Sequence, residues 1–193
     1  MTDYFALLGE ARQPWLDEGA LKAKFYALST EVHPDRVHAL PEADKRIAHE
    51  RYTELNAAYN CLREPKERLR HLLELETGRK PAQVQQVPAD LVDLFFEIGQ
   101  ATRAADEFLK RRAGVTSPLL MVDLFGEGQN ISEQLATLRD RLNARRTQLL
   151  DELRELNTHW QKALDRIEYI QQAVAYLQRW GAQLQERIFQ LGL

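Results

Sequence analysis

His33-Pro34-Asp35 lies between two helical patterns, and the fold is worked outward from it. Upstream, Leu21, Phe25, Leu28 and Val32 are spaced four, three and four, the stripe of an amphipathic helix. Pro34 ends that helix, because it pushes the residue before it out of helical geometry. The segment from His33 to Pro41 reads as a loop. Pro41, Glu42 and Asp44 then suit a helix start. From about residue 42 to 63, Ala48, Tyr52, Leu55, Tyr59 and Leu62 form a second stripe. Two such helices joined by a short loop pack as an antiparallel pair. An imidazole, a rigid ring and a carboxylate at the tip of a helical hairpin make a device for presentation to another molecule. The expected class is therefore a binding protein and not an enzyme.

Tyr4-Phe5-Ala6-Leu7-Leu8 is a short apolar start closed by Gly9, and Asp17 is placed to cap the helix before the tripeptide. After Pro65 a shorter helix carries Leu69, Leu72, Leu73 and Leu75 and stops at Thr77-Gly78-Arg79-Lys80-Pro81. Residues 77–88, with their prolines and glutamines, read as a linker. Three amphipathic stripes follow. They are Leu91, Leu94, Phe95, Ile98, Ala105 and Leu109; then Ile131, Leu135, Leu138, Leu142, Leu149, Leu153 and Leu156; then Trp160, Leu164, Ile167, Val174, Leu177, Leu184 and Ile188. Between the first two stripes, Leu119, Leu120, Met121, Val122, Leu124 and Phe125 are too apolar for a solvated loop. They predict a short packed helix or turn ended by Gly126. The expected fold is all-α, with a helical-hairpin domain at 1–76 and a three-helix bundle at 89–193.

The chain has 193 residues, 44% apolar and 28% charged, with a net charge of −3. The near balance of charge argues against nucleic acid as the partner, and no apolar run is long enough for a membrane span. The beginning of the chain lacks a basic stretch followed by an apolar one, so no signal peptide is expected and the protein is placed in the cytoplasm. The single cysteine, Cys61, excludes an internal disulfide and a multi-cysteine zinc site, and it reads as a small core residue. No cofactor is expected. His38, His49, His71 and His159 share no spacing and read as surface or ordinary packing residues.

Asp3-Tyr4-Phe5-Ala6-Leu7-Leu8-Gly9, the tripeptide, and Leu55-Asn56-Ala57-Ala58-Tyr59 with Leu62 and Pro65 together resemble a J-domain. The all-helical second half, and Arg68-Leu69-Arg70-His71-Leu72-Leu73-Glu74-Leu75 running into the connector, narrow the resemblance to the HscB-type co-chaperones of iron–sulfur cluster assembly. That resemblance implies a two-ended adaptor. The J-domain would stimulate the ATPase of an ATP-driven chaperone of the DnaK/HscA class, and the bundle would carry a scaffold protein holding a nascent cluster. His33, Pro34 and Asp35 match the family tripeptide and inherit its role. Asp35 suits a bidentate arginine of the partner, and His33 suits a carbonyl or carboxylate. Lys22, Lys24 and Arg36 supply the basic surface around the tripeptide, with Ala27 and Glu31 standing where the family is more basic. Paired metal-binding cysteines, present near the start of some members, are missing from that part of the chain.

On the helix from Leu91, a wheel at 100° per residue puts Phe95 on the edge of the core arc and Val92 and Phe96 off it. The resemblance assigns client binding to this helix, at Leu91, Val92 and Phe95. Phe96 and, on the last helix, Tyr169 join them as candidates. Two other classes stay open: a J-domain protein with a client unrelated to iron–sulfur clusters, and a small helical hydrolase with a metal on His33, Asp35 and His38. Against the second, the sequence carries no nucleophile elbow, phosphate loop or His-Glu helix motif.

Overall fold

The computed structural model describes residues 2–80 and 86–192, and no strand occurs among them. Among the described residues eight α-helices follow in order: α1 (Tyr4–Leu7), α2 (Glu18–Glu31), α3 (Pro34–Val37), α4 (Glu42–Arg63), α5 (Pro65–Thr77), α6 (Val92–Ala113), α7 (Pro118–Leu156) and α8 (Leu164–Leu191). Single 3-10 turns stand at Ala89–Leu91 and Trp160–Lys162. The linker expected at 77–88 includes residues 81–85, which lie outside the described residues. The chain forms two compact units, and neither is one continuous stretch. Met1–Ala82 joins Leu150–Gln171, and Gln83–Leu149 joins Gln172–Leu193.

In the first unit, α2 and α4 are antiparallel. Phe25 stacks on Tyr59, with ring centroids 4.4 Å apart, and His33 lies edge-on to Tyr52 at 5.6 Å, so the α4 partner falls in number as the α2 side rises. Leu21, Phe25, Ala48, Leu55, Ala58 and Leu62 fill the seam. Each fully buried leucine or phenylalanine contributes about 2 kcal/mol. Asp17 caps α2 by accepting from the Ala20 N–H at 2.7 Å, as the sequence predicts. Gly9 and Gly78 close α1 and α5 with φ of 66° and 67°, a left-handed conformation that favours glycine.

Polar side chains tie this unit together. Arg68, 3% exposed, donates from Nε to the Pro14 carbonyl at 2.9 Å and from Nη1 to the Leu62 carbonyl at 2.7 Å. Burial lowers its pKa to about 10. His71 Nε2 accepts the Tyr4 N–H at 3.1 Å, beneath the stacked Tyr4 ring. Asp3 caps α1 through the Phe5 and Ala6 N–H groups and pairs with Arg12 at 2.8 Å. Burial alone would raise the Asp3 pKa; the Arg12 guanidinium and the two N–H groups outweigh it, and the net direction is down. The α7–α8 corner belongs here too. Asn157 Oδ1 accepts the Trp15 N–H, Arg154 lies over the Trp15 ring, and Arg166 holds Glu152 at 2.6 Å.

The second unit is a three-helix bundle. Arg145 reaches Asp90, Arg141 reaches Glu97, and Gly128 lies against Phe108, so α6 and α7 run antiparallel. Phe95 meets Trp180 and Asp106 meets Arg187, so α6 and α8 run parallel. Leu91, Ile98, Ala105, Phe108, Leu135, Leu142, Val174, Leu177 and Leu184 form the core.

Four expectations are corrected. Residues 33–41 are not a plain loop: Pro34 begins the one-turn α3, because a proline at the first helical position gives up an N–H that has no partner there anyway. Gly126 does not end a short helix, since α7 runs through it from Pro118 to Leu156. The apolar stretch before Gly126 is not packed; Leu119, Leu120, Met121, Val122 and Phe125 are 76%, 52%, 45%, 71% and 53% exposed. Trp160 precedes the last helix in a buried 3-10 turn.

Candidate functional site

The tripeptide is held by its own turn and by α4. His33 is the N-cap of α3, and its Nδ1 accepts the Asp35 N–H at 3.3 Å. The His33 carbonyl accepts the Arg36 and Val37 N–H groups at 2.9 and 3.2 Å. Val37, 9% exposed, anchors the turn in the core, and Tyr52 backs the imidazole. The Asp35 side chain is 91% exposed; its Oδ2 lies 3.7 Å from His33 Nδ1, a charged pair only when the imidazole is protonated. The backbone is thus fixed while the carboxylate projects.

His38 turns its Nδ1 to the Asp35 carbonyl at 2.7 Å, and no metal-ligating cluster of His, Cys, Asp and Glu forms among the described residues. His33, Asp35 and His38 are not assembled as a ligand set. The Cys61 thiol is half-buried against the Glu67 carbonyl, and burial pushes its pKa up to about 11, so it is a poor nucleophile.

The basic surface divides. Lys22 and Arg36 are exposed, with the Lys22 ammonium over the Tyr26 ring. Lys24 is already engaged, 3.0 Å from Glu10 and donating to the Gly9 carbonyl at 3.0 Å.

On the bundle, Leu91 is 1% exposed and belongs to the core, so it is no surface contact. Val92 is half-buried. Phe95 and Phe96 are 42% and 59% exposed, with rings 5.6 Å apart. Phe95 leans on Trp180, which packs on Tyr176 at 5.3 Å; Phe96 projects farther out. Arg141 pairs with Glu97 beside them and holds that carboxylate below its usual range. Phe95 thus rests on the Trp180–Tyr176 pair, and Phe96 rests on Phe95. Tyr169 belongs to the first unit, where the Arg166 guanidinium lies over its ring at 4.4 Å.

Sequence reasoning missed Arg68, Phe108, Tyr176 and Trp180, whereas His71, read as surface or ordinary packing, is buried. A signal existed for the first. On a helical wheel, Arg68 falls between Leu72 and Leu75, inside the apolar arc of α5. A charged residue there must find buried acceptors.

Residues 3–71 match the family described as DnaJ domain. A co-chaperone protein HscB homolog of Azoarcus sp. is 44% identical over 73 residues, 38% of this chain and 41% of that protein. The homolog of Chromobacterium violaceum is 36% identical over 91 residues, 47% of this chain and 52% of that protein. The chain thus spans between two fifths and about half the length of these relatives. The crystal structure of human co-chaperone protein HscB has a TM-score of 0.65 at 19% identity, covering 98% of this chain and 81% of that one. The chaperone HscB from Vibrio cholerae has a TM-score of 0.61 at 20% identity, covering 97% and 99%.

Proposed function

We propose that this chain, which carries a DnaJ domain and shares its fold with HscB proteins, stimulates the ATPase of a DnaK/HscA-class chaperone with its tripeptide turn. The observation that carries the reading is Asp35, an exposed carboxylate on a turn fixed by the His33 cap and the buried Val37. Such an acid is pre-organised for a bidentate arginine, and the turn that carries it has little backbone freedom left to freeze on docking. Lys22 and Arg36 add positive field around it, which speeds encounter more than it strengthens the bound state. The chain itself performs no bond chemistry in this scheme.

The second half of the reading is delivery of an iron–sulfur cluster scaffold, with the cluster as cargo. The strip of Val92, Phe95 and Phe96 supports it, because clustered aromatic side chains on a rigid helix are the composition of a binding hot spot. A different client remains the second reading, since the family match covers residues 3–71 and the likeness to HscB structures is one of fold alone.

The test is steady-state ATP turnover by such a chaperone. Wild-type protein is expected to raise turnover, and Asp35→Asn to abolish the increase with helical content and melting temperature unchanged. A variant that stimulates normally removes the docking role. Capture of the scaffold by the wild-type chain separates the two client readings.

A further inference from the structure

We infer that the groove between α6 and the first turns of α7 is a binding site for a free fatty-acid anion, its carboxylate on Arg112 and its alkyl chain along the apolar wall. The tripeptide and the Val92–Phe96 strip have no part in it. Phe108 and Arg112 of α6, with Met121, Val122, Leu124 and Phe125 of α7, line about 710 Å³ of open space, and all six belong to the second unit. Five apolar side chains and one cation are the make-up of a small-molecule site, for which volumes run from about 300 to about 1,000 Å³.

The wall is free of acid. Taken at 100° per residue, Met121, Val122, Leu124 and Phe125 fall within one arc of about 160°. Gly128 falls in the same arc, and its backbone lies so close to Phe108 that a Cβ would come within 2.9 Å of the ring. The arc therefore faces α6, and Phe108, 1% exposed, is the floor of the groove. Asp123, the one acid of residues 119–125, falls opposite the middle of that arc. Glu127 is turned away as well and pairs with Arg111. Met121, Val122 and Phe125 are 45%, 71% and 53% exposed, so the wall presents apolar surface that an alkyl chain would cover.

Arg112 supplies the charge. Its guanidinium donates to the Gln190 carbonyl at 2.9 Å and the Leu191 carbonyl at 3.3 Å, 6.0 Å from the centre of the Phe108 ring. Carbonyls orient the cation without neutralising it, and no carboxylate pairs with it among the described residues. Two of its five N–H groups are used, which leaves donors for a carboxylate. One uncompensated cation in the lining matches one negative charge, which favours a monoanion over a phosphate dianion. A bilayer fits worse, because a helix lying in the interface needs a basic polar face, and here that face carries Asp123 and Glu127.

Isothermal titration calorimetry on the full chain is the test, at about pH 8, where the acids are ionised. The probes are octanoate, decanoate and dodecanoate, with decanol as the uncharged match to decanoate. Saturable one-to-one binding of decanoate is expected. Each added methylene should tighten it by about twofold, short of the value for full burial because one side of the groove is open. Decanol should bind about tenfold more weakly than decanoate. Arg112→Gln is expected to abolish that preference, bringing decanoate to the level of decanol. Val122→Glu, which puts an acid at an exposed position of the wall, should weaken decanoate about tenfold with an unchanged helical spectrum. It keeps the proposal testable should the Arg112 variant misfold. A wild-type chain that takes up no decanoate overturns the proposal, as does uptake without saturation. Equal affinity for decanol and decanoate overturns it too, as do two variants that bind like wild type. A chain that ignores dispersed decanoate but floats with phosphatidylglycerol–phosphatidylcholine vesicles assigns the groove to a bilayer instead. The assay contains no partner chaperone, so its outcome is separate from that of the tripeptide reading.

Discussion

Replacing Arg68 dissects a buried cation that has no acidic partner within hydrogen-bonding reach among the described residues. Burial lowers its pKa from 12.5 to about 10, which at about 1.4 kcal/mol per pKa unit is a penalty of about 3 kcal/mol on the charged form. Two hydrogen bonds from a charged donor, to the Pro14 and Leu62 carbonyls, contribute about 1.5–3 kcal/mol each and more than offset it. Arg68→Ala removes the penalty but leaves two buried carbonyls without donors and opens a cavity. The expected net loss is about 2–4 kcal/mol. Arg68→Met keeps most of the volume and relieves the buried charge, so it should lose only about 1–2 kcal/mol. Urea unfolding followed by far-ultraviolet circular dichroism measures both. The segment around Pro14 should loosen first, so hydrogen exchange at residues 10–17 should rise. Two variants within about 0.5 kcal/mol of wild type, or a methionine variant worse than the alanine one, refute the reasoning.

His71 makes stability pH-dependent. Burial lowers its pKa below the ordinary 6.5, and the ring accepts the Tyr4 N–H in its neutral form. Above pH 6.5 neither state binds the proton and its contribution is complete. As pH falls below 6.5 the unfolded chain protonates first and stability drops, until pH passes the folded pKa. His71→Gln should flatten that part of a melting-temperature profile; an unchanged slope assigns the dependence elsewhere. Gly181→Ala should stabilise by about 0.5–1 kcal/mol, since α8 is helical there and an added Cβ meets nothing within 4 Å; a lower melting temperature contradicts it. Val92→Ala with Phe96→Ala should weaken scaffold capture about tenfold or more and leave ATPase stimulation intact. Phe96 is the cleaner probe than Phe95, whose ring also supports Trp180. Loss of both activities together argues against a division of labour.

The N-terminal helices were legible because their apolar spacings state the period and face of each helix without help from distant residues. The local chemistry of Asp17, Pro34, Gly9 and Gly78 set their ends. The fate of residues 119–125 was not legible. Composition says that apolar side chains prefer burial, but whether a neighbour arrives to cover them depends on helix lengths and crossings fixed elsewhere. The same holds for Leu91 and Phe96, both apolar and five residues apart, one 1% and the other 59% exposed. Arg68 and His71 were legible as residues and opaque as roles, because their acceptor and donor lie at Pro14 and Tyr4, far back along the chain. Periodicity and capping are local and survive in the one-dimensional string. Burial, unit membership and the partners of buried polar groups arise from contacts between distant segments, and only the folded chain decided them.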